Sequence, residues 1–236
     1  GLMVKTEVRF GQPTLSSWFG MNLQRTTLVT APRSQVDQLV AEGHLSSMAR
    51  EQPFGDYEDY APYVEPCTSD HGTARLDVPA KSDGTPNYNY ACFVPVYSRA
   101  QRDALAFIGQ APGTYLRSVG GNTTLYLAAP IDPDLTGGPG GVLEDVHGAL
   151  ALEVETSATY PAGAIDGVRL QVTVVVTLAA VIGAGAWALV LAGRGTRTPT
   201  VAVVSFVGFT AAFVTATSVL FDAFENARFR SPLDPL

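Results

Sequence analysis

The feature that most constrains this chain is a pair of uncharged apolar runs, Leu170–Gly193 and Thr198–Phe221. Each run is 24 residues long, and only Arg194–Arg197 separates them. A helix of that length extends roughly 36 Å at about 1.5 Å per residue, enough to cross the hydrocarbon core of a bilayer. A core helix of a soluble protein usually keeps one polar face. The two runs therefore predict a transmembrane hairpin; the alternative is a very apolar buried helix pair.

The chain divides at the ends of these runs. We predict one α+β domain over residues 1–168, a transmembrane helix over 169–193, a short loop over 194–197, a second transmembrane helix over 198–221 and a tail over 222–236. Residues 1–168 are about the right number for one domain. They contain ten Lys or Arg against 19 Asp or Glu, which argues against nucleic acid as a partner and against a polybasic membrane-surface patch.

Charge alone leaves the membrane orientation open. The hairpin loop carries two arginines, and three lie near the opposite helix ends: Arg169, Arg228 and Arg230. The excess of Lys and Arg that marks a cytoplasmic loop is therefore not decisive. Cys67 and Cys92 are the only cysteines, and we favour a disulfide between them over two buried thiols. Such a bond requires an oxidising compartment.

The soluble part mixes helical and irregular patterns. Ser34 to Glu51 and a segment opening at Ser98 have helical apolar spacing, whereas Asn122 to Ala129 is strand-like. Residues 61–96 are punctuated by proline and glycine, which favours irregular structure.

Few residues suggest chemistry. The three histidines are too scattered to indicate a catalytic triad, and we predict no metal, no cofactor and no catalytic residue in this chain. The apolar runs contain no ionisable residue, so an ion or proton pathway through them is not expected. In the tail, Arg228 and Arg230 stand beside Glu225. Guanidinium groups suit phosphate, but on physical grounds alone interface anchoring is favoured over phosphate binding.

Two stretches resemble a known family. The tail Glu225–Leu233 resembles the segment that precedes the last spans of polytopic glycosyltransferases using polyprenyl-phosphate sugars, the GT-C-like relatives of protein mannosyltransferases. Phe10 to Leu23, with Asn87–Tyr90 and Pro112–Leu116, looks like the large outer domain of some of these proteins. The matched stretches touch about a third of the chain.

The resemblance implies a location and a reaction. Residues 1–168 and the tail would be extracytoplasmic, the loop 194–197 cytoplasmic, and the protein multi-pass in the cell membrane. The reaction would be sugar transfer from a polyprenyl-phosphate donor to an extracytoplasmic acceptor. This chain would be the non-catalytic C-terminal part, because the family's catalytic carboxylate belongs to an early outer loop that has no match here. Glu225, Arg228 and Arg230 would bind the lipid phosphate.

The alternative hypothesis is a membrane-anchored extracytoplasmic binding or assembly module without enzymatic activity. In either case the sequence opens with Gly1-Leu2-Met3 and shows no signal peptide. We therefore expect a piece of a longer protein, with missing upstream transmembrane helices and the lipid bilayer as partners.

Overall fold

The computed structural model describes residues 18–127, 153–196 and 198–221. The chain forms two compact units, residues 1–118 (unit 1) and residues 119–236 (unit 2). The described residues are mostly helical, with one two-stranded sheet and two long apolar helices. The α+β prediction is thus confirmed only in this coarser form, because residues 18–118 contain helices and loops and both strands belong to unit 2.

The helices in the described part of unit 1, residues 18–118, are short except for one. They are α1 Phe19–Gln24, which continues as a π-helical turn over Arg25–Val29, α2 Arg33–Ala41, α3 Tyr57–Tyr60, α4 Ala74–Asp77 and α5 Phe93–Gln110, with 3-10 turns at Ser47–Arg50 and Ala61–Tyr63. The predicted helix from Ser34 to Glu51 is therefore divided. Gly43 adopts a φ of +76° just after α2, and a glycine in this left-handed conformation ends a helix.

The long helix α5 organises unit 1. It begins at Phe93, before the predicted start at Ser98, and ends where Ala111 leaves the helical conformation before Pro112. Its buried residues recur at helical spacing: Phe93, Val96, Tyr97, Ala100, Asp103, Ala104 and Phe107. Helix α1 crosses α5 at Gly20, where an added Cβ would lie 2.8 Å from the Gln101 nitrogen. Only glycine allows this approach.

Two apolar clusters flank α5. The first contains Leu28, Ala31, Val36, Leu39, Leu45, Ala49, Phe107 and Ala111. The second is rich in aromatic residues and contains Met21, Met48, Tyr60, Phe93, Val96, Tyr97 and Ala100. Both clusters join residues far apart in the sequence, which makes α5 the common wall of the unit 1 core.

Unit 2 combines a β-hairpin with two apolar helices. The boundary between the units falls within α6, Pro112–Tyr126. Strands β1 (Glu153–Tyr160) and β2 (Gly163–Gln171) are antiparallel, with an irregularity in register between Thr156 and Ala158. Helix α7 (Val172–Gly193) follows β2 directly, and α8 (Pro199–Phe221) completes the pair. The strand thus continues into the predicted span 169–193 as far as Gln171.

The strand predicted from Asn122 is wrong for the described residues. Helix α6 continues to Tyr126, and residues 128 and 129 lie outside the described part of the chain. Ser118, Asn122 and Tyr126 are buried at a spacing of four residues, one helical face. The Thr123 and Thr124 hydroxyls donate to the carbonyls of Val119 and Gly120 in the preceding turn. Burial of this polar face overrides the local β-propensity of threonine.

The two apolar helices pack along one narrow seam. Gly185 of α7 lies against Gly208 of α8, and a Cβ on Gly185 would lie 2.5 Å from the Gly208 Cα. The buried residues of α7 are Val174, Leu178, Gly185 and Ala188, and those of α8 are Gly208, Ala211 and Ser218. The other described positions of both helices are partly or fully exposed. Both helices are long and apolar enough to cross a membrane.

Candidate functional site

The predicted lipid-phosphate residues lie outside the described part of the chain. Glu225, Arg228 and Arg230 belong to residues 222–236, which follow the last described residue, Phe221. The structure therefore positions the end of α8, from which this tail begins, and not the three side chains themselves.

The two cysteines form a disulfide. Cys67 and Cys92 are joined, with their Cα atoms 5.6 Å apart. Cys92 is fully buried immediately before α5, whereas Cys67 is partly exposed in the loop that precedes α4. The bond therefore ties an irregular segment to the long helix of unit 1.

A Ser/His/Asp cluster lies in the loop that this disulfide encloses. The carboxylate of Asp77 accepts hydrogen bonds from the backbone of His71 (2.8 Å), the hydroxyl of Ser69 (2.9 Å) and the backbone of Thr73 (2.8 Å). These donors, led by the His71 backbone, lower the pKa of Asp77 to about 2. The same nitrogen of His71, Nδ1, lies 3.0 Å from the Ser69 Oγ and 3.2 Å from Asp77. A triad instead uses one ring nitrogen for each partner, so this cluster organises the loop.

Three aromatic rings and an arginine form a second cluster, which we call the aromatic–arginine cluster: Trp18, Arg25, Phe54 and Tyr88. Its ring centroids are 5.4–6.2 Å apart and the rings meet edge to face. The guanidinium carbon of Arg25 lies 4.5 Å from the centroid of the Phe54 ring, within cation–π range. The rings touch each other, so the cluster is a packed surface without an open cage.

The backbone of Phe54 is held in an uncommon conformation. Its φ is +63°, a region that bulky residues rarely adopt. The Tyr88 hydroxyl donates to the Phe54 carbonyl. The Tyr88 carbonyl in turn accepts from the Tyr97 hydroxyl at 2.6 Å and from the Trp18 indole nitrogen at 3.2 Å. Burial, then the negative charge of Asp56, raises the pKa of Tyr88, and Arg25 opposes them.

Trp18 and Arg25 are only partly buried, so this cluster is a preorganised surface on unit 1. Tryptophan, tyrosine and arginine carry much of the binding energy at protein interfaces. The contacts of Trp18 with Phe54 and Tyr88 were not predicted from the sequence.

A third cluster holds α8 in unit 2; we call it the α8 clamp, and it consists of Asn122, Tyr126, Tyr160, Thr215 and Val219. Asn122 is fully buried, and its Nδ2 donates to the Val219 carbonyl at 3.1 Å. The Tyr160 hydroxyl donates to the Asn122 Oδ1 at 3.0 Å. The hydroxyls of Tyr126 and Thr215 are 3.2 Å apart. Burial raises the pKa of Tyr160, which keeps its hydroxyl a donor.

Glycine makes this clamp close-packed. An added Cβ on Gly121 would lie 2.7 Å from the Tyr160 ring and 2.8 Å from the Thr159 carbonyl oxygen. Sequence reasoning missed the clamp and placed Asn122 at the start of a strand-like segment. The signal available was the spacing of Asn122 and Tyr126 on one helical face.

Within residues 18–127, 153–196 and 198–221, no group of three or more His, Cys, Asp or Glu could hold a metal ion. Comparison of the chain with protein-family models, with curated proteins and with solved structures found no match.

Proposed function

We propose that this chain is a membrane-anchored protein in which α7 and α8 cross the bilayer and unit 1 is an extracytoplasmic binding module. The observation that carries the proposal is the exposure of both apolar helices outside their narrow seam. Large apolar side chains lie exposed in both helices, among them Val176, Trp187, Leu189, Val203, Phe206, Phe209 and Phe213. Exposing these apolar side chains to water costs free energy, whereas lipid would cover them.

The hydroxyl groups of α8 support the same conclusion. Thr210 donates to the Phe206 carbonyl at 2.8 Å, and Thr217 donates to the Phe213 carbonyl at 2.8 Å. These bonds within the helix satisfy side chains that would otherwise be unpaired in a hydrocarbon environment. The Gly185–Gly208 contact likewise suits a membrane, where helix association depends on close backbone approach.

The disulfide supports an extracytoplasmic location for unit 1. Cys67–Cys92 is a bond that persists in oxidising compartments and is rare in the cytosol. Two crossings place residues 1–168 and the tail on one side and the loop 194–197 on the other. With unit 1 outside, that loop is cytoplasmic, and the aromatic–arginine cluster faces the extracytoplasmic space as its binding surface.

A labelling experiment on the full chain tests this arrangement. We expect the protein to remain in membranes after alkaline carbonate washing, and its native cysteines to react with maleimide only after reduction. Thr196→Cys, in the hairpin loop, should react with an impermeant maleimide only after permeabilisation. Ser82→Cys, an exposed position of unit 1, is the matched control and should react in intact cells. Carbonate release, or reactive native thiols without reductant, would contradict the proposal.

Sugar transfer is the second candidate function. The observation that favours it is the tail, where Glu225, Arg228 and Arg230 follow α8 within a few residues and resemble the family's lipid-phosphate segment. In this proposal the chain is the non-catalytic part of a polyprenyl-phosphate-sugar glycosyltransferase. The two guanidinium groups would hold the phosphate while charge develops on the leaving group.

Photocrosslinking to a polyprenyl phosphate probe in membranes tests the second candidate. The variant Arg228→Ala/Arg230→Ala should reduce crosslinking by about tenfold, because charge-assisted bonds to phosphate are lost. Lysine at both positions should rescue only part of it, since lysine cannot donate two parallel bonds. Arg102→Ala, at an exposed arginine of α5, is the control. Equal crosslinking by the double alanine variant would exclude this role.

A further inference from the structure

We propose that the α8 clamp is a positioning device, in which the side-chain amide of Asn122 fixes residues 215–219 of α8 against α6 and the β-hairpin. The inference rests on the proposed function, in that α8 is taken to be a membrane helix. It assigns Asn122, which the sequence pattern placed at the start of a strand-like segment, a role in holding residues 215–219 of α8.

The side-chain amide of Asn122 contacts the backbone of α8 directly. Its Nδ2 lies 3.1 Å from the carbonyl oxygen of Val219, which belongs to the last described turn of α8. Asn122 is fully buried, and a buried amide is costly unless it is hydrogen-bonded. The bond to Val219 therefore satisfies the amide and ties α6 to α8.

The partners of the Asn122 side-chain amide distinguish its nitrogen from its oxygen. The Val219 carbonyl can only accept a hydrogen bond and therefore faces Nδ2, whereas the Tyr160 hydroxyl donates to Oδ1. Tyr160 is the last residue of β1, and its ring packs against Gly121, where a Cβ would collide with it. One side chain therefore joins α6, β1 and α8.

A second contact joins α6 and α8 one helical turn away from the first. Moving four residues forward from Asn122 reaches Tyr126, and moving four residues back from Val219 reaches Thr215; these two hydroxyls are 3.2 Å apart. Two polar contacts at this spacing fix α6 and α8 as antiparallel neighbours. Apolar packing supports these contacts, because Tyr126 clusters with Val174 and Leu178 of α7 and with Val219.

The clamp contacts α8 at Thr215 and Val219, in the last two described turns of this helix. Val203 and Phe206, near the start of α8, are 61% and 70% exposed. Loss of the clamp should therefore loosen residues 213–221 and leave the first turns of α8 unchanged.

Hydrogen exchange of the full chain in lipid nanodiscs tests this inference. In Asn122→Ala we expect amides of residues 213–221 to exchange about tenfold faster, with residues 199–207 unchanged. Thr215→Val should give a smaller increase, because it removes only the contact between the hydroxyls of Tyr126 and Thr215. Asn89→Ala, at an exposed asparagine of unit 1, is the matched control. Unchanged exchange of residues 213–221 in Asn122→Ala would overturn the inference.

Asn122→Asp keeps the test decisive if the alanine variant unfolds. A protonated aspartic acid can donate to the Val219 carbonyl, whereas a carboxylate cannot and is repelled by it. Burial beside Tyr160 should raise the pKa of this carboxyl above its ordinary value. Protection of residues 213–221 should then match the parent chain at acidic pH and be lost as pH rises through that pKa. The same protection relative to the parent at acidic and neutral pH would refute the clamp.

The two proposals can fail separately. A chain released from membranes by carbonate contradicts the anchored arrangement. A chain that stays in the membrane and shows no selective loss at residues 213–221 contradicts only the role of Asn122.

Discussion

At the scale of single residues, Tyr60 shows how burial links a hydroxyl group to stability. Its side chain is fully buried in the aromatic cluster beside α5. Its hydroxyl accepts from the Gly55 backbone at 2.8 Å and donates to the Gln52 carbonyl. Burial is the largest cause that raises the pKa of Tyr60 to about 12. The folded chain therefore retains this proton at pH values where the unfolded chain, with a pKa of 10.0, loses it.

The sign of the pH dependence follows from this difference. Between about pH 10 and pH 12 the unfolded state binds fewer protons than the folded state, so stability falls as pH rises. Tyr60→Phe should remove this contribution and flatten the decline. At neutral pH the variant should be less stable by about 1–3 kcal/mol, because the Gly55 and Gln52 backbone groups lose a buried partner.

Thermal unfolding followed by Trp18 fluorescence measures this effect, in a Trp187→Phe background so that unit 1 alone reports. Tyr90→Phe is the matched control, since Tyr90 contributes a ring to the same aromatic cluster. Equal alkaline slopes for Tyr60→Phe and its parent would contradict the assignment.

At the scale of secondary-structure elements, one glycine pair determines how closely α7 and α8 approach. Gly185 and Gly208 meet backbone to backbone, while nothing lies within 4 Å of a Cβ added to Gly183. The same chemical change therefore has different consequences two residues apart. Alanine at Gly185 forces the helices to separate, whereas alanine at Gly183 projects into open space.

We expect Gly185→Ala to destabilise the hairpin by about 1–3 kcal/mol, the usual cost of overpacking. Gly183→Ala should be neutral or slightly stabilising, because alanine has the higher helix propensity. Trp187 fluorescence during thermal unfolding in nanodiscs, in a Trp18→Phe background, reports the difference. Similar unfolding temperatures for the two variants would show that the helices do not meet at these glycines.

At the scale of the whole molecule, two kinds of surface occur in one chain. Residues 1–168 have an excess of nine acidic over basic residues, whereas α7 and α8 expose large apolar side chains. The disulfide lies in the acidic part of the chain, residues 1–168, and stabilises a segment rich in proline and glycine. Cys67 and Cys92 are separated by 25 positions, so their bond restricts a sizeable loop in the unfolded chain.

Replacing both cysteines by alanine should lower the stability of unit 1 by about 3 kcal/mol in the chain-entropy model. Trp18 fluorescence of the full chain measures that loss, with Trp187→Phe as background. Adding reductant to the parent chain should produce the same shift and should have no effect on the double variant. A reductant-dependent shift in the double variant would mean that the effect does not come from this bond.

The sequence was most informative where structure depends on local composition. A run of 24 uncharged residues is enough to predict a long apolar helix, because backbone hydrogen bonds close within the helix and need no distant partner. Two cysteines in one domain leave a single intramolecular pairing. The helical spacing of the segment from Ser98 was likewise evident, although the sequence did not show that Asp103 is buried and accepts a hydrogen bond from the Ser46 backbone at 3.0 Å.

Tertiary structure decided the rest, because the relevant partners are distant in sequence. Asn122 binds a carbonyl 97 positions away and a tyrosine 38 positions away, and no local pattern identifies either. The same burial turns a strand-like segment into the end of α6. Phe54, whose backbone is left-handed, likewise contacts Arg25 and Tyr88, which are distant from it in the sequence. The sequence by itself determined the two long apolar helices, whereas only the folded chain determined which polar groups hold Thr215 and Val219 of α8.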